Sequence, residues 1–327
     1  MDHPRKRHKI IMRILIAFIV LYILLVGALL LFENYLVYPR PGMRGNWQPA
    51  DIDFEEVTFK STDGTRITGW YLPCPESQAD TAETILYCHG NGENAAMASS
   101  KRANRFRNEL GANVLVYDYR GYGKSEGSPH EKGILEDTEC AMKWLNQKTG
   151  TSPDDVIVVG HSIGGGPACH AAWKMGAKAV ILQRTFASLP EAAQANFWFV
   201  PVHRLMRNRY PSAEKIKTCP QPLFQSHGDK DWLVPIESGR KLFENSPSDN
   251  KTFFVNPGGG HWDRLPDEYW TQLKTFVQSL EQEKLAEPGT EGKFLDNEEL
   301  PATLEKLEEL DPTQRTSSDK TENDPGF

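Results

Sequence analysis

Cysteine is sparse in this 327-residue chain, and its pattern excludes more than it suggests. Cys74, Cys88, Cys140, Cys169 and Cys219 include no C-x-x-C pair and no metal-ligand spacing with any of the nine histidines. No metal is therefore expected, and the odd count argues against a complete disulfide framework. Cys88 and Cys169 stand in apolar contexts and read as buried thiols, while a Cys74–Cys219 pair stays open. Basic residues form no patch interleaved with aromatics, which removes a nucleic-acid partner. No segment repeats, and no cofactor is implied.

Charge is absent from residues 14–32, a run of 19. At about 1.5 Å per residue such a helix is close to the roughly 30 Å hydrocarbon core of a bilayer. Arg5, Lys6, Arg7, Lys9 and Arg13 precede the run and Glu33 follows it. This asymmetry places a basic N-terminus (1–13) in the cytoplasm and the rest of the chain on the extracytoplasmic side. A cleaved signal peptide is the rival reading. Its apolar region would be about 7–15 residues, followed by small residues. This run is longer and ends in Leu30-Leu31-Phe32-Glu33, so an uncleaved signal anchor is expected. A buried core helix fits poorly, because no polar face interrupts the run.

Large apolar residues are scarce at the other end. Residues 281–327 hold 14 acidic and five basic residues, a balance of −9 against −7 for the whole chain. A largely disordered acidic tail is expected over 285–327. One short amphipathic helix could form at 297–310. Residues 33–284 are left for one folded domain, enough for a single core. Its apolar runs predict strands near 57–62, 66–72, 84–88, 113–117, 156–159, 179–183, 223–225 and 252–255. Helical patterns lie near 95–110, 131–147, 164–175, 236–243 and 267–280. This alternation implies an α/β fold with a mostly parallel sheet covered by helices on both faces. The first two strands read as an antiparallel hairpin turning at Asp63-Gly64. The rhythm breaks at about 188–210, where an apolar insertion carries Phe197-Trp198-Phe199-Val200-Pro201.

The strand Val156-Ile157-Val158-Val159 runs directly into Gly160-His161-Ser162-Ile163-Gly164, and a helical pattern follows. This G-x-S-x-G between strand and helix resembles the nucleophile elbow of α/β-hydrolases, which makes Ser162 the candidate nucleophile. Residues two before and two after such a serine must be small, and both are glycine. In that fold the acid and then the base follow the serine in the chain. The strand Leu223-Phe224-Gln225 leads to His227-Gly228-Asp229-Lys230-Asp231, with Trp232-Leu233-Val234-Pro235 after it. Similarity to the H-G-x-x-D-x-x-V-P acid loop of the fold favours Asp231 as the acid. Asp229 reads as a turn residue capping its own backbone. His261, in the glycine-rich loop after 252–255, is the one histidine that follows the acid and is the candidate base. The fold's pattern also implies an oxyanion hole from the backbone amides of Asn91, after His89-Gly90, and of Ile163.

The resemblance extends to the membrane-anchored Bem46-, ABHD13- and ABHD17-like serine hydrolases and covers about residues 33–280. It rests also on Asn34-Tyr35-Leu36-Val37-Tyr38-Pro39, on Asp118-Tyr119-Arg120-Gly121-Tyr122-Gly123-Lys124-Ser125 and on Asn208-Arg209-Tyr210-Pro211-Ser212. The second of these lacks the four-residue gap of a phosphate loop and is expected to shape the loop above the active site. The insertion stands where such hydrolases carry a cap. Gln183 is a departure, since relatives often carry an acid there. The acidic tail and the lack of an N-terminal cysteine cluster are others. The resemblance implies hydrolysis of an ester or thioester of a small-molecule or lipid acyl substrate through an acyl-enzyme. A peptidase or an acyltransferase on the same triad is an alternative. A non-catalytic membrane-anchored binding protein is an alternative of another class.

Overall fold

The structure is a computed structural model that describes residues 4–39, 52–75 and 82–286. The acidic tail from 287 onward, with the helix suggested for 297–310, lies outside the described residues. Every element that builds the site belongs to one compact unit, Met1–Gln282.

Eight strands form one sheet: β1 (Glu55–Lys60), β2 (Arg66–Leu72), β3 (Glu83–Cys88), β4 (Ala112–Tyr117), β5 (Val156–His161), β6 (Ala179–Gln183), β7 (Leu223–Gly228) and β8 (Lys251–Asn256). Their spatial order is β1-β2-β4-β3-β5-β6-β7-β8. The pairs β1–β2 and β2–β4 are antiparallel, and every other pair is parallel. All eight expected strands form. β1 starts and ends two residues earlier than expected, because Ser61 already belongs to the turn. Its amide donates to the Thr65 carbonyl at 2.8 Å, and the Thr65 amide donates to Asp63 Oδ1 at 3.0 Å.

The central strands are apolar without alternation because both faces are covered. Val158 and Leu182 pack into one core with Leu86 and Leu115, while Ile157 and Ile181 pack into the other with Ile85 and Val116. Successive residues thus serve opposite layers, as the two-residue repeat of a strand requires. Helices α3 (Ala95–Ala98) and α4 (Asn104–Leu110), joined by a π turn at Ser99–Ala103, fill the expected 95–110 helix. The helices α5 (Glu131–Thr149) and α6 (Gly165–Met175) also form where the sequence predicts them.

Between β6 and β7 the chain leaves the sheet for α7 (Leu189–Asn196), α8 (Val202–Leu205) and α9 (Ser212–Ile216). The first two lie in the expected insertion. Helices α10 (Ile236–Glu244) and α11 (Asp267–Ala286) complete the layers.

At the N-terminus, α1 (Pro4–Leu31) merges the basic segment and the apolar run into one helix, and α2 (Glu33–Val37) continues it. Within it, His8–Leu31 is long and apolar enough to cross a membrane. The end of α2 docks on the last residues of the insertion. The Tyr38 hydroxyl, buried, meets Asn208 Oδ1 at 2.8 Å and the Tyr210 hydroxyl at 2.9 Å.

Candidate active site

β5 ends at His161, a single 3-10 turn covers Ser162–Gly164, and α6 begins at once. Ser162 has φ +54°, a left-handed conformation that side chains adopt only under constraint. The glycines supply the room for it. A Cβ at Gly164 would lie 2.1 Å from the Cys88 carbonyl oxygen, and one at Gly160 would lie 2.6 Å from the Gly164 carbonyl. From the segment after β6, the Thr185 hydroxyl donates to the Ser162 carbonyl at 2.7 Å and fixes the turn.

Three side chains that are distant in sequence meet here. His261 Nδ1 lies 2.7 Å from Asp231 Oδ2, and its Nε2 lies 2.9 Å from Ser162 Oγ. All three residues are buried. Burial alone would raise the Asp231 pKa. Hydrogen bonds from His227, His261 and the Val234 amide outweigh it and hold the carboxyl well below the usual range. The ionised carboxylate can only accept, so Nδ1 carries the imidazole proton. Nε2 is then the acceptor, and the Ser162 hydroxyl donates to it. Asp231 Oδ1 accepts from the amides of Leu233 (3.1 Å) and Val234 (2.9 Å), which pins the carboxylate.

Asp229 corrects an expectation. It does not cap its own backbone: its Oδ1 accepts from the Gly258 amide at 2.6 Å. It thereby ties the acid loop to the glycine loop that carries His261. The cysteine question also closes, since all five thiols are free.

The other histidines have structural surroundings. His161 is buried beside His261, with ring centroids 5.8 Å apart, and no hydrogen-bond partner on either ring nitrogen. Burial first, then the charges of Arg102 and His261, push it well below the usual imidazole range. It stays neutral and does not compete for charge with its neighbour. His170 bridges Glu139 (2.8 Å) and Lys215 (3.0 Å) on the back of α6. His130 stands at the N-cap of α5.

Asn91, Ser162 and Ile163 line one cavity. The turn at Arg120-Gly121-Tyr122-Gly123 holds Asn91 in place through the Tyr122 hydroxyl, which donates to Asn91 Oδ1 at 2.7 Å. The turn is itself anchored by the buried Arg120 guanidinium, which grips Asp137 through Nε and Nη2 and reaches Asp63 and Ser61. The loop-shaping role expected of this motif thus takes the form of a tether on Asn91.

The cavity has a volume of about 450 Å³. Its walls come from the cap (Leu189, Ala192, Phe197 and Val200), from the acid loop (Trp232, Leu233 and Val234) and from the N-terminal helices. Its lining is almost wholly apolar, with a few convergent polar groups around the serine, the usual build of a small-molecule site. Among the described residues no cluster of three or more histidine, cysteine or carboxylate side chains is arranged to hold a metal.

Sequence reasoning missed the latch between α2 and the cap. Buried Glu33 accepts from the Arg207 amide (2.9 Å) and Nε (3.1 Å), and from the Asn208 amide and Nδ2 (each 2.8 Å). Burial raises the Glu33 pKa, but these donors together bring it below the ordinary value. The signal was a lone carboxylate at the end of an apolar run. It reads equally well as the polar boundary of a membrane span.

Comparison with known proteins agrees with this architecture. Residues 83–202 match the family model described as the alpha/beta hydrolase fold. The chain is 32% identical over 255 residues to YfhR of Escherichia coli K12, which covers 75% of this chain and 87% of that protein. It is 30% identical over 263 residues to a Saccharomyces cerevisiae protein named as a membrane protein, YNL320W, covering 77% and 91%. An alpha-beta hydrolase of Vibrio vulnificus superposes with a TM-score of 0.62 at 21% identity over 75% of this chain and 92% of that one. The Pyrococcus furiosus esterase Pf2001 does so with 0.58 at 20% identity, over 73% and 96%.

Proposed function

The chain belongs to the α/β-hydrolase family, and on that premise we propose that it is a serine hydrolase cleaving an ester or thioester through an acyl-enzyme. One observation carries the reading: the unbroken relay from the Asp231 carboxylate through His261 to the Ser162 hydroxyl. In this mechanism Ser162 Oγ attacks the substrate carbonyl while its proton passes to His261 Nε2. Asp231 stabilises the imidazolium. The amides of Asn91 and Ile163 face the oxyanion of the tetrahedral intermediate. Collapse of the intermediate expels the alcohol or thiol, which takes the proton from Nε2. A water, deprotonated by the same nitrogen, then attacks the acyl-serine, releases the acid and restores the Ser162 hydroxyl.

An ester or thioester is favoured over a peptide because the cavity offers few polar partners. A peptide buried there would leave its backbone groups unpaired at a cost of roughly 1–3 kcal/mol each. The esterase among the structural neighbours points the same way. The membrane name of the yeast relative and the span His8–Leu31 support a single-pass anchor. The basic residues ahead of the span argue for a cytoplasmic N-terminus, with the catalytic domain, 33–284 and its cap at 188–210, on the extracytoplasmic side.

The test is covalent labelling of the full chain by a fluorophosphonate, alongside turnover of p-nitrophenyl esters. Wild type should label and turn over, and Ser162→Ala should do neither while keeping its thermal transition. Full labelling of the alanine variant would remove Ser162 from the role. A folded wild type that neither labels nor turns over would favour a binding protein on the same fold.

A further inference from the structure

We propose that α1 and the cap form a slot, open to the bilayer, through which the fatty acyl chain of a lipid ester or thioester reaches Ser162. The inference rests on the serine-hydrolase reading and names the substrate class of that site. Its first support is the way α1 meets the catalytic domain. From His8 to Leu31 every side chain is exposed except Val26, Leu29 and Leu30. With Glu33 and Val37 these positions follow the three-and-four spacing of one helix face, and all five line the cavity that contains Ser162. The end of the membrane span is therefore a wall of the site.

The second support is that the cap is fastened to that wall rather than folded over the sheet alone. The Tyr22 hydroxyl donates to the Phe199 carbonyl at 2.9 Å, and Arg207 Nη2 donates to the Leu30 carbonyl at 2.8 Å. Tyr22 precedes Leu31 by nine residues, roughly 13 Å along a helix. The cap tip thus lies beside the span, at the depth of the hydrocarbon. Its residues suit that place: Phe197, Trp198 and Phe199 are 39%, 79% and 42% exposed. Three adjacent exposed aromatics are a liability in water and an anchor in a membrane. The charged latch of Glu33 with Arg207 stands at the end of the apolar run, where headgroups and water begin.

The third support is the chemistry of the lining. Polar side chains are few: Asn91 and Ser162 where the reacting carbonyl would sit, Asn196, and Glu33. Glu33 is already satisfied by its donors, and Asn196 Nδ2 donates to the Leu233 carbonyl at 3.1 Å. An alkyl chain asks nothing more of such a lining, whereas a polar acyl group would have its own donors and acceptors stranded. A lipid already in the bilayer reaches the slot laterally, with its tail between α1 and the cap and its ester at the level of the serine.

The full chain in phosphatidylcholine vesicles provides the test, with p-nitrophenyl acetate and p-nitrophenyl palmitate as probes. Wild type should favour the longer ester, with kcat/KM rising up to about fourfold per added methylene until the slot is full, the equivalent of about 0.8 kcal/mol per buried CH₂. Leu29→Trp narrows the slot and should lower the palmitate-to-acetate ratio at least tenfold. Leu21→Trp, on an exposed turn that does not line the cavity, should keep the wild-type ratio. Fluorophosphonate labelling of each variant reports the triad separately. Labelled wild type that prefers acetate overturns the slot and leaves the serine standing. An unchanged ratio in Leu29→Trp, or an equal fall in Leu21→Trp, overturns it as well. Failure of wild type to label overturns the serine reading, and the slot with it.

Discussion

Replacing Asp231 by asparagine tests the relay more sharply than removing it. The two residues have the same shape, so the site should not collapse. The orientation of the amide is dictated by its neighbours. Oδ1 accepts from two backbone amides, Leu233 and Val234, at 3.1 and 2.9 Å. An asparagine keeps its carbonyl oxygen there, because an NH₂ group would face two donors. Its Nδ2 is then left at the position 2.7 Å from His261 Nδ1. The imidazole must turn Nδ1 into an acceptor and carry its proton on Nε2, which lies 2.9 Å from Ser162 Oγ. Nε2 can no longer take the serine proton, and the charge that stabilised the imidazolium is lost too. The same change in a serine-protease triad costs on the order of 10⁴ in kcat, about 5.4 kcal/mol of transition-state stabilisation. A loss of that order is expected here. Asp229→Asn keeps a carbonyl acceptor for the Gly258 amide and should stay within about tenfold of wild type, since a neutral hydrogen bond contributes about 1 kcal/mol. The assay is kcat on a p-nitrophenyl ester, normalised to intact fold by circular dichroism. If Asp231→Asn retains more than a tenth of wild-type kcat, or Asp229→Asn loses more, the tautomer argument is wrong. Acid stability gives an independent check. The folded pKa of Asp231 is depressed. Its contribution to stability is therefore complete above the unfolded value of about 3.9 and lost as pH falls through the folded value. Wild type should lose thermal stability below about pH 4 more steeply than Asp231→Asn.

Further outcomes concern the serine turn, the Glu33 latch and the topology. Gly164→Ala drives a Cβ to 2.1 Å from a backbone carbonyl and should cost about 3 kcal/mol or more, seen as a lower denaturation midpoint together with lost labelling. Glu33→Ala leaves the donors of Arg207 and Asn208 without their carboxylate and should destabilise by about 2–3 kcal/mol. Because the folded pKa of Glu33 is lowered, the latch should also weaken in wild type as pH falls below about 4.3, read as faster proteolysis of the 188–210 segment at pH 4 than at pH 7. A C-terminal tag on sealed cells should be cleaved by external protease and protected from the cytoplasmic side, and the opposite pattern would reverse the orientation drawn from Arg5, Lys6, Arg7, Lys9 and Arg13.

The sheet was legible because both faces of its central strands are covered. A run such as Val156-Ile157-Val158-Val159 has one physical use in an α/β chain, and β1 to β8 all formed within two or three residues of expectation. The proposed triad was legible for a different reason. A strained serine turn requires small residues at 160 and 164, and chain order leaves His261 as the one histidine after the acid. The choice of Asp231 over Asp229 rested on likeness alone. The geometry adds a physical argument to that proposal, since Asp231 faces the imidazole while Asp229 accepts from the loop that carries it. What Tyr122 does for Asn91 could not be read in advance, because a tyrosine in a glycine turn carries no sign of the side chain it will meet.

The slot face of α1 was illegible in principle. Burial is read from contrast, an apolar stripe against a polar one. A membrane helix has no such contrast, so Val26, Leu29 and Leu30 look the same as the lipid-facing residues beside them. The cap had the converse ambiguity. Phe197, Trp198 and Phe199 are apolar enough to line a pocket or to enter a bilayer, and the sequence does not choose. The contact of Tyr22 with Phe199 joins the two unknowns. Once the cap tip is placed against the span, the helix face and the aromatic tip become parts of one surface. The anchor is then a piece of the substrate site as well as a tether. A chain shortened to start at residue 33 would keep Ser162, Asp231 and His261 but lose the wall formed by Val26, Leu29 and Leu30. Activity of such a fragment on soluble short esters would therefore say little about the substrate of the whole protein.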